Sequence, residues 1–243
     1  MTKAIGQICF FLYCISLPSV QIDASHLKRS TQFSSLTIEQ GLSQNSVLSI
    51  MQDSRGFIWL GTEDGLNRYD GYRFDRIRSD SGLKPHLNNS GIAALYQDSR
   101  GIIWIGTKGG GVNCHDPITG NVRYFSRNGA DNNRIRISSN TVTSFFKDSS
   151  GHLWIATKKG LNRYDPQSDT IQPYIFRNKA LIDWQTYYIS AICEDKSRNL
   201  WIASYGNGLL RLNPESGRQR IYLHGKKDPE SIGGNYISSL LYS

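Results

Sequence analysis

The sequence predicts an all-β protein built from four-stranded antiparallel sheets stacked side by side, and three observations carry that prediction. A stretch running from Gln52 to Asp70, QDSRGFIWLGTEDGLNRYD, is repeated as QDSRGIIWIGTKGGGVNCHD from Gln97, KDSSGHLWIATKKGLNRYD from Lys147 and EDKSRNLWIASYGNGLLRLN from Glu194. Its Trp recurs as Trp59, Trp104, Trp154 and Trp201, and an Asp recurs ahead of it as Asp53, Asp98, Asp148 and Asp195, both at steps of 45, 50 and 47 residues. Within each copy the apolar residues come in short runs bounded by turn signals, a strand pattern too interrupted for helices. A period of this size belongs to an array, a solenoid or a propeller. One four-stranded sheet cannot bury both of its faces, and sheets of this size stacked radially are the blades of a β-propeller. The ring expected here is incomplete, with four blades and the start of a fifth.

The first repeat shows the elements in order. Val47 to Gln52 is strand a, and Asp53-Ser54-Arg55-Gly56 is a tight turn in which Asp and Ser bond the backbone and Gly takes positive φ. Phe57 to Gly61 is strand b, Glu63-Asp64-Gly65 turns the chain, and Leu66 to Tyr69 is strand c. Asp70-Gly71 is a strong hairpin signal that leads into strand d, Arg73 to Arg78. The same reading places blades at about 45–82, 90–131, 140–180 and 187–227. The repeated Trp are expected between neighbouring blades and the repeated Asp as caps of their own hairpins, which explains them more cheaply than a ring of calcium ligands.

Composition bounds the rest. With 20% charged and 38% hydrophobic residues the chain is globular and not disordered. Residues 1–24 read as a secretory signal peptide: Lys3, then a largely apolar Ala4 to Leu17, then Pro18 and a small-residue ending at Ala24. That apolar run is shorter than the roughly 18 residues of a spanning helix, and the bulky Tyr13 before Cys14 disfavours a lipoprotein site. Cys114 and Cys193 fall at different positions of different repeats, so free thiols are expected rather than a disulfide. The net charge of +8 survives loss of the leader, which removes one Lys and one Asp, and it favours anionic partners or a solvated basic face. The five His lie without ligand spacing, and the clusters GTKGGG and YGNG sit between strands where a phosphate loop needs a following helix. No metal, no cofactor and no nucleic-acid partner is expected.

The combination Asp-x-x-Gly, Ile-Trp-Ile-Gly-Thr and Gly-Leu-x-Arg-Tyr-Asp resembles the two-component regulator propeller repeat, found in periplasmic sensor regions of bacterial hybrid histidine kinases and some diguanylate cyclases. The resemblance covers Phe33 to the C-terminus. Repeat four departs most, with Ser197-Arg198-Asn199 lacking the turn Gly and Leu212-Asn213 replacing Tyr-Asp, and repeat two has Cys114-His115 in place of Arg-Tyr. Rings in this family are seven-bladed, with a membrane span and an output module beyond them. Residues 33–42 read as a stray outer strand that completes a last blade, and 235–243 as the truncated start of a fifth. The chain therefore resembles the N-terminal fragment of a longer, inner-membrane-anchored sensor, with a homodimer among the expectations for the full-length form.

Function is expected where the repeat symmetry breaks. In a propeller the b–c and d–a loops share one face, and here they place Lys108, Lys158, Lys159 and Tyr205 beside Arg134, Arg136, Trp184 and Tyr187. Aromatic plates next to cationic donors suit a sugar ring bearing carboxylate or sulfate. The opposite face carries Arg55, Arg100 and Arg198 in the a–b turns, so basic charge alone does not choose the face. Two alternatives stand beside a glycan sensor. Propeller lyases share similar repeats and act with a His, a Glu and a metal, and His86 and His224 lie in d–a loops, although no acidic partner stands out. A protein-interaction scaffold is the other.

Overall fold

The computed structural model describes residues 34–79, 86–127, 137–176 and 187–242. From Leu36 onward the chain forms one unit of four antiparallel sheets, each with its strands in chain order. The first sheet is β1 Val47–Gln52, β2 Ile58–Thr62, β3 Gly65–Tyr69 and β4 Phe74–Ile77. The second is β5 Ile92–Gln97, β6 Ile103–Thr107, β7 Val112–His115 and β8 Val122–Phe125. The third is β9 Val142–Lys147, β10 Leu153–Thr157, β11 Gly160–Asp165 and β12 Thr170–Pro173. The fourth is β13 Ile189–Glu194, β14 Leu200–Ser204, β15 Leu209–Leu212 and β16 Gln219–Tyr222. Strands β1, β5, β9 and β13 neighbour one another in series, so the sheets stack radially as blades with their first strands innermost.

The Asp that follows strand a in every blade bonds in two directions. One oxygen closes the a–b turn: Asp53 Oδ1 accepts from the Arg55 and Phe57 amides at 2.9 and 3.0 Å, and Asp195 Oδ1 from those of Ser197 and Asn199 at 2.9 Å each. The other accepts the indole N–H of the Trp on strand b, at 2.9 Å from Trp59, 3.2 Å from Trp104, 2.8 Å from Trp154 and 3.0 Å from Trp201. In the first three blades the indole is thereby aimed into the seam with the next blade. Trp59 packs with Ile103 and Ile105, Trp104 with Leu153, Ile155 and Tyr164, and Trp154 with Leu200, Ile202 and Leu212. In the first seam His115 stands where the next one has Tyr164, its ring centroid 5.8 Å from that of Trp59; burial pushes its pKa down to about 4, so the imidazole is neutral near pH 7. Cys114 and Cys193 are free, and burial pushes the Cys114 thiol pKa up.

The seams also require close backbone approach. A Cβ added to Gly106 would lie 2.6 Å from Val142 Cγ1, and one on Gly61 2.6 Å from Ile92 Cγ2, so the first two blades need Gly at this place on strand b, whereas the later blades accommodate the single methyl of Ala156 and Ala203. On strand c a buried Asn ties the lead-in of strand a to its own blade: Asn67, Asn113 and Asn162 accept the amides of Ser43, Asn88 and Ser138 at 2.9, 3.0 and 2.8 Å. Leu210 takes that place in the fourth blade, so the clasp is absent there.

The ends of the array differ from expectation. Within the segment read as a stray outer strand, Ile38–Gln40 is a 3-10 turn, held by reciprocal bonds between Thr37 and Gln40 and closed by Gly41 at φ 112°. The outer-strand reading is thus corrected for these residues, because local capping satisfies backbone groups that a strand would offer to a partner. Phe33 lies outside the described residues. At the other end the Asn235 carbonyl accepts from Gly206 N and Gly208 N at 3.0 Å each. Ser90, Asn140 and Tyr187 accept in the same way from Gly65, Gly111 and Gly160 of the preceding blade. Residues from Asn235 therefore dock as the lead-in of a further repeat. Tyr236 makes an isolated bridge to Tyr205, and no strand follows through Tyr242.

The two outer flanks are apolar. Val47 is 41% exposed, whereas its counterparts Ile92, Val142 and Ile189, each covered by a preceding blade, are at 0%. Ile50 is 69% exposed, and Trp201 is half-buried where the other three repeat Trp are at 0%.

Three outcomes follow. Trp154→Ala should destabilise the folded protein by about 3–5 kcal/mol in chemical denaturation, through lost burial and the cavity left in the seam. Arg198 holds φ 59° where the other turns use Gly56, Gly101 and Gly151 at 85° to 90°. Arg198→Gly should therefore raise stability by about 0.5–1 kcal/mol, since the left-handed region is costly for a residue with a Cβ; an unchanged or lower melting temperature would show the turn to be unstrained. The chain on its own should self-associate through its flanks, and a monomer in sedimentation across the micromolar range would count against that.

Candidate functional site

The b–c loops are held rigid by a side chain at the end of strand b. Thr62, Thr107, Thr157 and Ser204 are fully buried, and each hydroxyl donates to the carbonyl of the loop's last Gly at 2.9 to 3.0 Å. The same oxygens accept loop amides, from Asp64, Gly110, Lys159 and Asn207 at 2.8 to 3.1 Å. The loops then dock on the lead-ins of strand a, with Lys108 N, Lys158 N and Tyr205 N donating to Gly91, Thr141 and Tyr188 carbonyls at 2.9 to 3.0 Å. The b–c loops and the lead-ins thus form one preorganised face.

Side chains on this face change character along the array. In the first two blades charge is paired: Lys108 is bonded by Glu63, and Arg78 meets Asp64 at 2.6 Å. In the third blade Lys158 and Lys159 are exposed and have no ion-pair partner among the described residues. Lys158 Nζ instead stands 5.5 Å from the centre of the Tyr188 ring. An aromatic row continues from there. The Tyr188 and Tyr205 centroids are 5.5 Å apart at 35°, and those of Tyr205 and Tyr236 are 5.1 Å apart at 82°. Tyr205 and Tyr236 are 55% and 72% exposed. The row offers exposed aromatic ring surface in tilted and edge-on rings, with an ammonium at one end.

The structure therefore redistributes the residues expected from sequence. It brings Lys158, Lys159 and Tyr205 to the b–c face as expected. Lys108 is there too, with its charge engaged by Glu63, so it is not a free donor. Tyr187 is corrected: it is half-buried and packs against the core cluster around Trp154, Leu161 and Phe176, because adjacent residues of an extended segment point to opposite sides. Tyr188 takes the outward place. Arg134, Arg136 and Trp184 lie outside the described residues. Tyr188 and Tyr236 occupy one repeat position, readable by setting YYISAICED against NYISSLLYS. Among the described residues no group of three or more His, Cys, Asp and Glu converges as a metal site. The His86 carbonyl accepts from Tyr124 Oη, and His224 Nδ1 lies 2.8 Å from the Ile232 carbonyl, each on a separate blade. Among the described residues no helix is long and apolar enough to cross a membrane.

Comparison with known proteins matches this architecture. The family model described as two component regulator propeller matches residues 41–64, 86–109, 136–159 and 184–206, each run spanning a lead-in, strands a and b, and the start of the b–c loop. "Histidine kinase P4" of Formosa agariphila is 51% identical over 47 residues, 19% of this chain and 3% of that protein's length. The extracellular domain of BT3049, described as a hybrid two component system of B. thetaiotaomicron, is 27% identical with a TM-score of 0.69, over 79% of this chain and 26% of that one. The chain thus spans only a small part of the relatives it matches. Virginiamycin B lyase from Staphylococcus aureus, 16% identical with a TM-score of 0.51 over 72% of this chain and 54% of that one, shares the fold alone. This chain thus carries four copies of the two-component regulator propeller repeat.

Proposed function

We propose that the chain is the ligand-sensing propeller region of a signal-transduction receptor and that its b–c/d–a face binds an acidic oligosaccharide. The observation that carries this reading is the row Tyr188, Tyr205 and Tyr236 with Lys158 at its end. Exposed tyrosines stack on the apolar faces of sugar rings, and an unpaired ammonium binds the carboxylate or sulfate of the same ligand. The Thr- and Ser-locked loops keep this surface in place before the ligand arrives, which lowers the ordering cost of binding. Support for a sensing role comes from the repeat family and from the extracellular domain of BT3049.

In this reading residues 1–24 export the chain to the periplasm. A region beyond Ser243 anchors the whole protein in the inner membrane and carries a histidine kinase or diguanylate cyclase output. Calorimetric titration of uronate and sulfated oligosaccharides against the full-length protein tests the site. Affinity should fall as salt rises, because an exposed charge is screened. A Lys158→Ala, Tyr205→Ala double variant should bind at least roughly tenfold more weakly, the loss expected of one charge-assisted bond and one stacked ring. Equal affinity in both proteins would rule this face out, and absence of binding by either would favour an interaction scaffold.

A further inference from the structure

The a–b turn of one blade meets the end of strand a of the next on the opposite face, and two of the three seams are closed there by the same device. In the first seam the Ser54 amide donates to Gln97 Oε1 at 2.7 Å. In the third, Ser149 donates through its amide to Glu194 Oε2 at 2.7 Å and through its hydroxyl to Oε1 at 2.9 Å. The repeat places Ser99 and Lys147 at these two positions in the second seam. A lysine cannot accept, and Ser99 makes no hydrogen bond among the described residues. A cleft of about 750 Å³ opens there, with Ser99, Arg100, Lys147, His152, Arg163 and Gln172 among its lining. The seam does not part, because Trp104 packs edge-on to Tyr164 at 4.6 Å and Arg123 pairs with Asp169 across it.

A second break in symmetry adds charge to the same cleft. The strand c Arg of the first blade, Arg68, faces Asp75 on strand d and is bonded to it at 2.5 Å. In the fourth blade Arg211 has Asp195 at 3.5 Å. In the third blade Arg163 faces Gln172 and has no ion-pair partner among the described residues; it is paired in register with Trp154, and its guanidinium stands 6.0 Å from the centre of that ring. Lys147 has no ion-pair partner among them either. The acids nearby are already engaged. Asp98 accepts from Trp104, Arg100 and the Ile102 amide; Asp165 from Ser168 and the Gln167 amide; and Asp148 from Trp154, with His152 Nδ1 at 3.1 Å. Burial would raise the pKa of Asp98, yet its bonds from Arg100 and Trp104 hold it below the usual carboxylate range, so it stays charged and spent on them. What the cleft offers without an ion-pair partner is Lys147 and the donors of Ser99, with Arg163 in its lining but turned to the Trp154 ring.

We propose that the seam between the second and third blades is an anion-binding site, separate from the b–c/d–a face, that takes a carboxylate- or sulfate-bearing ligand of about monosaccharide size. Lys147 holds the anionic group, Ser99 donates to it in place of the missing Gln or Glu, and Arg163 adds positive charge from the Trp154 side of the third blade. The cleft has the volume of ordinary small-ligand sites.

The test is calorimetric titration of the full-length protein with glucuronate and with glucose 6-sulfate, against glucose as the neutral control. Both anions should bind saturably and glucose should not. Lys147→Glu rebuilds the clasp of the third seam and should weaken anion binding at least roughly tenfold while leaving the melting temperature unchanged or raised; Arg163→Gln should weaken it by a smaller factor, since that charge acts without direct contact. Lys147→Arg should retain it, and the Lys158→Ala, Tyr205→Ala double variant should bind these anions as the wild type does. Wild-type affinity in Lys147→Glu, equal binding of glucose, loss of binding in the b–c face variant alone, or no saturable binding of either anion would each overturn the proposal. Because the two sets of variants lie on opposite faces, failure of one site is distinguishable from failure of the other.

Discussion

One carboxylate in each blade holds both the blade and its neighbour. The Asp after strand a spends one oxygen on the amides of its own turn and the other on the indole N–H of the Trp on strand b. A charged acceptor satisfied this way tolerates burial, as Asp53 and Asp148 do, and an indole with its N–H bonded can be buried whole. The turn is thereby tight, the Trp has one orientation, and the seam beside it has a fixed floor. Everything else in the array, from the Gly and Ala required on strand b to the docking of each b–c loop, presupposes that spacing between blades.

A structure held together by a repeated device shows its specialised places as failures of that device. The fourth blade lacks the turn Gly, and Arg198 adopts positive φ while Asn199 bonds both oxygens of Asp195 at 3.0 Å to hold the turn. It lacks the buried Asn of strand c, and its b–c loop carries Tyr205 into the exposed aromatic row. The second seam lacks the bond from Ser to Gln or Glu that closes the other two, and keeps an open cleft lined by Lys147. Packing residues repeat because every seam has the same volume to fill. The residues proposed for binding do not repeat, as a ligand that touches one or two blades would require.

The flanks carry the same logic outward. Val47 presents to solvent what Ile92, Val142 and Ile189 bury, Ile50 is exposed beside it, and Trp201, which no further strand b covers among the described residues, is half-buried. Asn235 and Tyr236 already occupy lead-in positions on the fourth blade. The surfaces of a blade are thus written for neighbours on both sides, which is the condition for a ring.

The sequence by itself determined the all-β class, the four-stranded blade, its period and its strand boundaries to within a residue or two, because short apolar runs between Asp, Gly and Asn turns admit little else. It also determined that the repeated Trp and Asp are structural, since a residue needed in every blade does what every blade needs. Only the tertiary structure decided that Tyr188 faces outward and Tyr187 inward, since neighbouring residues of an extended lead-in differ only by which side the next blade covers. It decided that Lys108 is spent on Glu63, a contact 45 residues apart, while Lys158 lies against a ring. It turned Ile38–Gln40 into a 3-10 turn, because Thr37 and Gln40 bond each other before any strand partner can. Lys147 was visible all along as a substitution for Gln or Glu. That it opens a seam follows only from seeing what Gln97 and Glu194 reach across to hold.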